Sequence, residues 1–133
     1  MRLLVLGGTR FLGRHVATAA LERGHDVATF TRGLSGEPPT GAHALHGDRD
    51  DPGALPVALR GWSPELVVDT SCRTRAAARN AAAALGGAHG YAFVSSLNAY
   101  RSWPPGPSAP RTTSRRGSPT TTSTGRTRPS RSG

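Results

Sequence analysis

Residues able to do chemistry are sparse in this 133-residue chain, and the most informative stand at its start. Gly7 and Gly8 directly follow the apolar run Leu3-Leu4-Val5-Leu6, and a helical pattern opens at Phe11. Glycines between a strand and a helix point the free N–H groups of the helix N-terminus at whatever sits above the strand. That favours a phosphate through hydrogen bonding and the helix dipole. A glycine pair can equally be a tight connection and nothing more; the strand before it and the helix after it turn the reading towards a dinucleotide. His43 and His46 bring metal to mind, yet no further ligand lies near them in sequence and Asp48 follows in a turn, so no metal is expected. Cys72 has only Arg73 and Arg75 beside it and no histidine, which argues against a nucleophilic cysteine.

These residues need elements to hold them. Leu3 to Leu6 is a continuous apolar run, the pattern of a strand buried on both faces of a parallel sheet. Leu12, Val16, Ala19 and Ala20 then recur at helical spacing, and Glu22, Arg23 and Gly24 supply a polar last turn and a stop. Residues 26–31 (DVATFT) read as a second strand, ending at Arg32-Gly33. Residues 34–41 form a loop rich in glycine and proline, and residues 44–47 a short third strand. Residues 52–60 make a weak helix containing Pro56, and residues 66–69 (LVVD) a fourth buried strand. Residues 74–85 are alanine-dense and helical, stopped by Gly86 and Gly87, and residues 91–95 (YAFVS) are a fifth strand. Small side chains on the alanine-dense helix bury little area, so that layer is expected to be thin. The alternation predicts an α/β fold: a Rossmann-like, doubly wound parallel sheet of about five strands in the order 3-2-1-4-5 with right-handed crossovers.

In such a fold ligands lie at the carboxyl ends of the strands. Arg32 stands where the second strand approaches the adenosine ribose, and a basic residue there accommodates the 2′-phosphate of NADP; its other reading is a solvated turn arginine. Thr70 and Ser71 lie at the carboxyl end of the fourth strand, as ligand neighbours or as a helix cap. One of Asp48, Asp50 or Asp51 can cap the helix that follows the third strand.

The opening segment GGTRFLG resembles the extended short-chain dehydrogenase/reductase family, also called the NAD-dependent epimerase/dehydratase family, whose first turn reads GxxGxxG. Gly7 and Gly13 match the first and third glycines, and Arg10 stands in place of the second. GGTRF is most similar to an atypical subgroup that includes chloroplast stem-loop-binding proteins. The resemblance implies that Gly7, Thr9, Arg10, Phe11, Leu12 and Gly13 face the cofactor, with Arg10 weakening the close approach of backbone to pyrophosphate or contacting phosphate itself. It also implies that Asp48, in GDRDD, approaches the adenine, although Arg49 replaces the apolar residue that often follows. Thr70 and Ser71 then run near the cofactor's phosphate and ribose. In SSLNAY, Ser96 lies four residues before Tyr100, the spacing of the family's substrate-orienting serine. The acid/base tyrosine of the family lies further along in YxxxK. This chain contains no lysine, and no tyrosine follows Tyr100.

Charge separates the chain in two. Residues 1–100 hold ten arginines against eight acidic residues, whereas residues 101–133 hold seven arginines and no acid. The net charge of +9 therefore belongs mainly to the last third. That segment also carries seven Ser, seven Thr, six Pro and four Gly, with only Trp103 and Ala109 apolar. Burial cannot compensate the entropy of ordering it, so disorder is expected from about residue 104, after a partial dinucleotide-binding domain over residues 1–103. A single cysteine excludes an internal disulfide and fits a reducing cytoplasm. No run approaches a membrane span, and the N-terminal run is too short and wrongly flanked for a signal peptide. The expectation is a soluble, cytoplasmic chain.

Three functions compete on these residues. The first is a truncated NAD(P)-binding relative, catalytically incompetent for want of the Tyr and Lys pair, whose tail is an out-of-frame continuation; arginine without lysine fits GC-rich coding. The second is a nucleotide-sensing or RNA-binding module in which the arginine tail neutralises phosphates. Its lack of interleaved aromatics for base stacking disfavours nucleic acid as the partner. The third is an active oxidoreductase in which Ser96 works with an unconventional base. The first is the reading adopted, with NADP preferred over NAD on the strength of Arg32, and with self-association through the exposed fifth strand.

Overall fold

A computed structural model describes residues 1–96. Eight elements follow one another: β1 (Arg2–Leu6), α1 (Phe11–Glu22), β2 (Asp26–Thr31), β3 (His43–His46), α2 (Ala54–Ala58), β4 (Leu66–Asp69), α3 (Arg75–Leu85) and β5 (Gly90–Phe93). The strands form one parallel sheet in the order β3-β2-β1-β4-β5, as the alternation of elements predicts. Register places Leu3 opposite both Val27 and Leu66, and Leu6 opposite both Phe30 and Asp69.

The sheet is covered on both faces, which is why β1 reads as a continuous apolar run. Leu3, Val5 and Val27 pack with Ala17 and Ala20 of α1. On the opposite face Leu4, Leu6, Ala28, Phe30 and Val67 pack with Leu55 of α2 and with Ala81 and Leu85 of α3. A fully buried Leu4 or Phe30 is worth about 1.5–3 kcal/mol against an exposed one. Gly13, Ala17 and Ala20 of α1 and Ala77 and Ala81 of α3 face the sheet, joined by the larger Leu55 of α2 and Leu85 of α3.

The buried stripe of α1 differs from the one read off the spacing. Gly13, Ala17 and Ala20 face the sheet, Val16 is partly covered, and Leu12 is 50% exposed. The helix is turned to bring Gly13 inward, because only a residue without Cβ fits there: a Cβ on Gly13 would stand 2.2 Å from the carbonyl oxygen of Gly7. Backbone proximity thus outranks side-chain hydrophobicity in setting the helix face. At the other end of α1, Gly24 has φ +77, and bonds from Gly24 N to Leu21 O and His25 N to Ala20 O close the helix as glycine stops do.

The helix between β3 and β4 is shorter than the nine residues expected, five in all. Pro56 falls in its first turn, where an N–H would have no intrahelical acceptor in any case. Its N-cap is Gly53, without a side-chain cap. Asp48 and Asp51 instead close turns in their own loop, accepting from Asp50 N at 2.9 Å and Gly53 N at 2.8 Å. The proposed aspartate cap of this helix is therefore not formed. At the opposite end of the sheet, Asp26 accepts from Trp62 Nε1 at 3.0 Å and bonds His43 Nε2 at 2.9 Å. The Trp62 bond first, then His43, hold the Asp26 carboxyl below its usual range.

Candidate dinucleotide site

The carboxyl ends of β1 and β4 form the centre of the site. β1 ends in Gly7, whose φ of +93 is open to glycine at little cost, and whose N–H still reaches Phe30 O at 2.9 Å on β2. Gly8 is buried against Thr29, with a would-be Cβ 2.4 Å from Thr29 Cγ2. The chain then enters α1, and Gly13 passes against the Gly7 carbonyl. First glycine for a tight turn and third glycine for close packing of helix on strand are the roles such a motif requires.

Arg10 resolves differently from its family counterpart. Its φ of −133 and ψ of 151 are ordinary extended values, so the position accepts a side chain without strain. The side chain is exposed. Strain lies one residue on: Phe11 has φ +42, uncommon for a bulky residue, and is 85% exposed. The first turn of α1 carries no acidic residue and no side-chain cap. Its leading N–H groups, from Phe11 to Gly13, precede the first bond of the helix, Arg14 N to Arg10 O at 3.2 Å. An anion is the group these donors suit. Thr9 is buried.

Thr70 and Ser71 close the other side. Thr70 Oγ1 donates to Leu6 O at 3.0 Å and approaches Gly7 O at 3.4 Å, while its N–H reaches Leu6 O at 3.0 Å. The hydroxyl therefore braces the glycine turn. Ser71 Cβ and Oγ stand 2.6 and 2.8 Å from where a Cβ on Gly7 would be. Neither residue caps α3. Thr74 does, accepting from Ala77 N at 3.0 Å, and it also donates to the Asp50 carboxylate.

Four of the residues singled out in the sequence thus meet at one turn: Gly7, Gly13, Thr70 and Ser71. Arg32 lies one residue beyond β2, exposed, beside Gly33 at φ +76. Asp48 is exposed two residues beyond β3. Ser96 is exposed, beyond β5. Tyr100 and residues 104–133, with the disorder expected of them, lie outside the described residues. Among the described residues no group of three or more His, Cys, Asp or Glu side chains could hold a metal, and no helix is long and apolar enough to cross a membrane.

One cluster escapes sequence reading. Arg49 pairs end-on with Asp69, Nη1 to Oδ1 at 2.8 Å and Nη2 to Oδ2 at 2.7 Å, with the two side chains 10% and 1% exposed. Nη1 also donates to Ser71 Oγ at 3.2 Å, and Tyr91 Oη donates to Asp69 Oδ2 at 2.8 Å. Burial opposes the Arg49 charge, but Asp69 more than offsets it and the guanidinium pKa is raised. Burial first, then the bond to Asp69, push the Tyr91 phenol up, so it serves as a fixed donor and not as a base. The only sequence signal is an acid ending the apolar strand β4 and an arginine three residues beyond β3, 20 residues apart.

The sequence pattern of the NAD dependent epimerase/dehydratase family matches residues 3–90. The chain is 36% identical over 74 residues to the photosystem II assembly factor Ycf39 of Trieres chinensis, an alignment covering 53% of this chain and 23% of that protein. Among solved structures it is similar to the Bordetella bronchiseptica enzyme WbmG in complex with NAD and UDP, at 22% identity and a TM-score of 0.61, over 70% of this chain and 36% of that one. It is also similar to the Thermus thermophilus UDP-glucose 4-epimerase in complex with NAD, at 30% identity and a TM-score of 0.50, over 56% of this chain and 25% of that one. The chain thus spans well under half the length of each of these relatives. With a parallel sheet in the order 3-2-1-4-5, a glycine turn at the end of its central strand and a family pattern running from residue 3 to residue 90, the chain belongs to the NAD-dependent epimerase/dehydratase family.

Proposed function

We propose that residues 1–96 bind the adenosine and pyrophosphate portion of NAD or NADP, as a fragment of the epimerase/dehydratase type that does not itself turn over substrate. The observation behind this reading is the approach of Gly13 to the Gly7 carbonyl, which leaves the uncapped N-terminus of α1 above the carboxyl end of β1. The N–H groups of Phe11, Leu12 and Gly13 would hold the pyrophosphate, Thr70 and Ser71 would wall the crevice, and Asp48 would lie towards the adenine. Arg10, exposed beside these donors, adds a cation for the same phosphates. Arg32, exposed at the end of β2 where an acid would select the ribose hydroxyl of NAD, favours NADP.

A bound nicotinamide would supply the hydride chemistry. Residue support for proton transfer is missing: with no lysine in the chain, nothing matches the pair in which a lysine lowers the pKa of a tyrosine near 10 to a useful value. Binding without turnover is the expected behaviour.

Calorimetric titration of the purified chain with NADP and NAD tests this. Saturable binding is expected, tighter for NADP, with the preference lost in Arg32→Ala. Failure of both cofactors to bind would reject the reading. Cofactor oxidation or reduction that disappears in Ser96→Ala would overturn the claim of incompetence.

A further inference from the structure

The Arg49–Asp69 pair lies outside the glycine turn and joins the loop after β3 to the end of β4. Arg49 belongs to the loop after β3; Asp69 and Ser71 lie at the end of β4 and just beyond it. Asn80 Nδ2 of α3 donates to Arg49 O at 2.8 Å, and Thr74 donates to the Asp50 carboxylate. Tyr91 of β5 adds its bond to Asp69.

Two features argue that stability is not its purpose. Burying an ion pair gains less than packing apolar residues of the same volume. The pair is also under-satisfied: Arg49 Nε is buried with no hydrogen-bond partner among the described residues. An unpaired buried donor calls for an account of its own. What the cluster achieves is placement of Ser71. Asp69 Oδ1 accepts from Ser71 N at 3.1 Å while Arg49 Nη1 donates to Ser71 Oγ, and that side chain presses on Gly7.

We propose that Arg49 is a positioning residue for the dinucleotide: bound to Asp69, it clamps the loop after β3 to the loop after β4 and orients Ser71 against the glycine turn. Both walls of the adenosine side are then set before ligand arrives, so binding orders less of the protein. The proposal rests on the dinucleotide reading above.

Its test is NAD and NADP titration of the full chain, with thermal midpoints and amide exchange recorded on the same variants. Arg49→Met and Asp69→Leu each leave one buried charge unpaired and lower the midpoint. The triple variant Arg49→Met/Asp69→Leu/Tyr91→Phe recovers most of that loss, yet binds cofactor at least tenfold more weakly and exchanges faster at residues 48–51 and 70–74. A triple variant with wild-type affinity or wild-type exchange would overturn the clamp. A second cycle uses milder changes, Arg49→Lys and Ser71→Ala. If Arg49 acts through Ser71, the double variant is no weaker than the weaker single; additive losses would overturn the proposal. Wild-type chain that binds neither cofactor rejects the dinucleotide reading, and the clamp with it. Wild-type binding left unchanged in the triple variant rejects the clamp alone.

Discussion

β1 and β5 are short, largely apolar strands of one parallel sheet, yet they live in different surroundings. From Leu3 to Leu6, β1 is buried, with α1 on one face and α2 and α3 on the other. Along β5, Tyr91 is 42% and Phe93 54% exposed, and Val94 just beyond is 43% exposed. The difference lies in position more than in side-chain type. A central strand is covered by helices on both faces, whereas β5 pairs on one side only among the described elements and adds no residue to either core cluster. In parallel sheets an apolar run therefore states a capacity for burial, and order in the sheet decides whether it is realised. The site follows the same division: the glycine turn grows from the buried strand, and β5 contributes one anchored side chain, Tyr91.

Truncation on each strand is the most direct way to break this comparison. Leu4→Ala empties a fully buried position and should cost about 2–5 kcal/mol. Phe93→Ala, which removes a larger side chain, should change stability by only about 0.5 kcal/mol. Paired urea unfolding curves measure both, and equal losses would mean that β5 is covered after all. Gly13→Ala comes next: the added methyl meets backbone at the Gly7 carbonyl, so about 1–3 kcal/mol of strain is expected, together with loss of cofactor binding. Stability and affinity that both stay at wild-type values would refute the close approach.

Thr74→Ala probes α3, the helix that helps cover the buried strand β1. Loss of the cap on α3 should cost about 1 kcal/mol in thermal unfolding, and the corresponding changes at Thr70 and Ser71 should leave the α3 cap intact. The smallest effect is in alkali. The folded-state pKa of Tyr91 is raised above that of an unfolded tyrosine, so its contribution to stability is fully present below about pH 10 and is lost as pH rises through the folded value. The thermal midpoint should fall above about pH 10 in wild type and fall less steeply in Tyr91→Phe. Identical slopes would detach Tyr91 from Asp69. If the edge of β5 that is unpaired among the described residues recruits a second copy, sedimentation will show a dimer that Phe93→Lys dissociates.

Much of the scaffold was legible because its signals are local. The run from Leu3 to Leu6, the glycines after it, the stop at Gly24 and the alanine-dense helix each lie within one window of sequence, and each forms where expected. Errors arose where a distant contact chose between local options. Leu12 has the hydrophobicity for the core, but the Gly7 carbonyl needs Gly13 there. Asp48 and Asp51 have the chemistry of helix caps, but their carboxylates close turns within the loop. Thr70, Ser71 and Thr74 are all plausible caps, and only Thr74 stands one residue before Arg75, where α3 starts.

By itself the sequence determined the order and kind of the elements and the glycine turn at the end of β1, since these depend on residue type and short-range periodicity. Tertiary structure alone decided which hydroxyl braces the turn and which caps a helix, which face of α1 turns inward, and that Arg49 and Asp69 meet. The brace of Thr70 on Leu6 and the Arg49–Asp69 pair join residues 64 and 20 positions apart, where closing the sheet supplies the geometry and no local pattern encodes it.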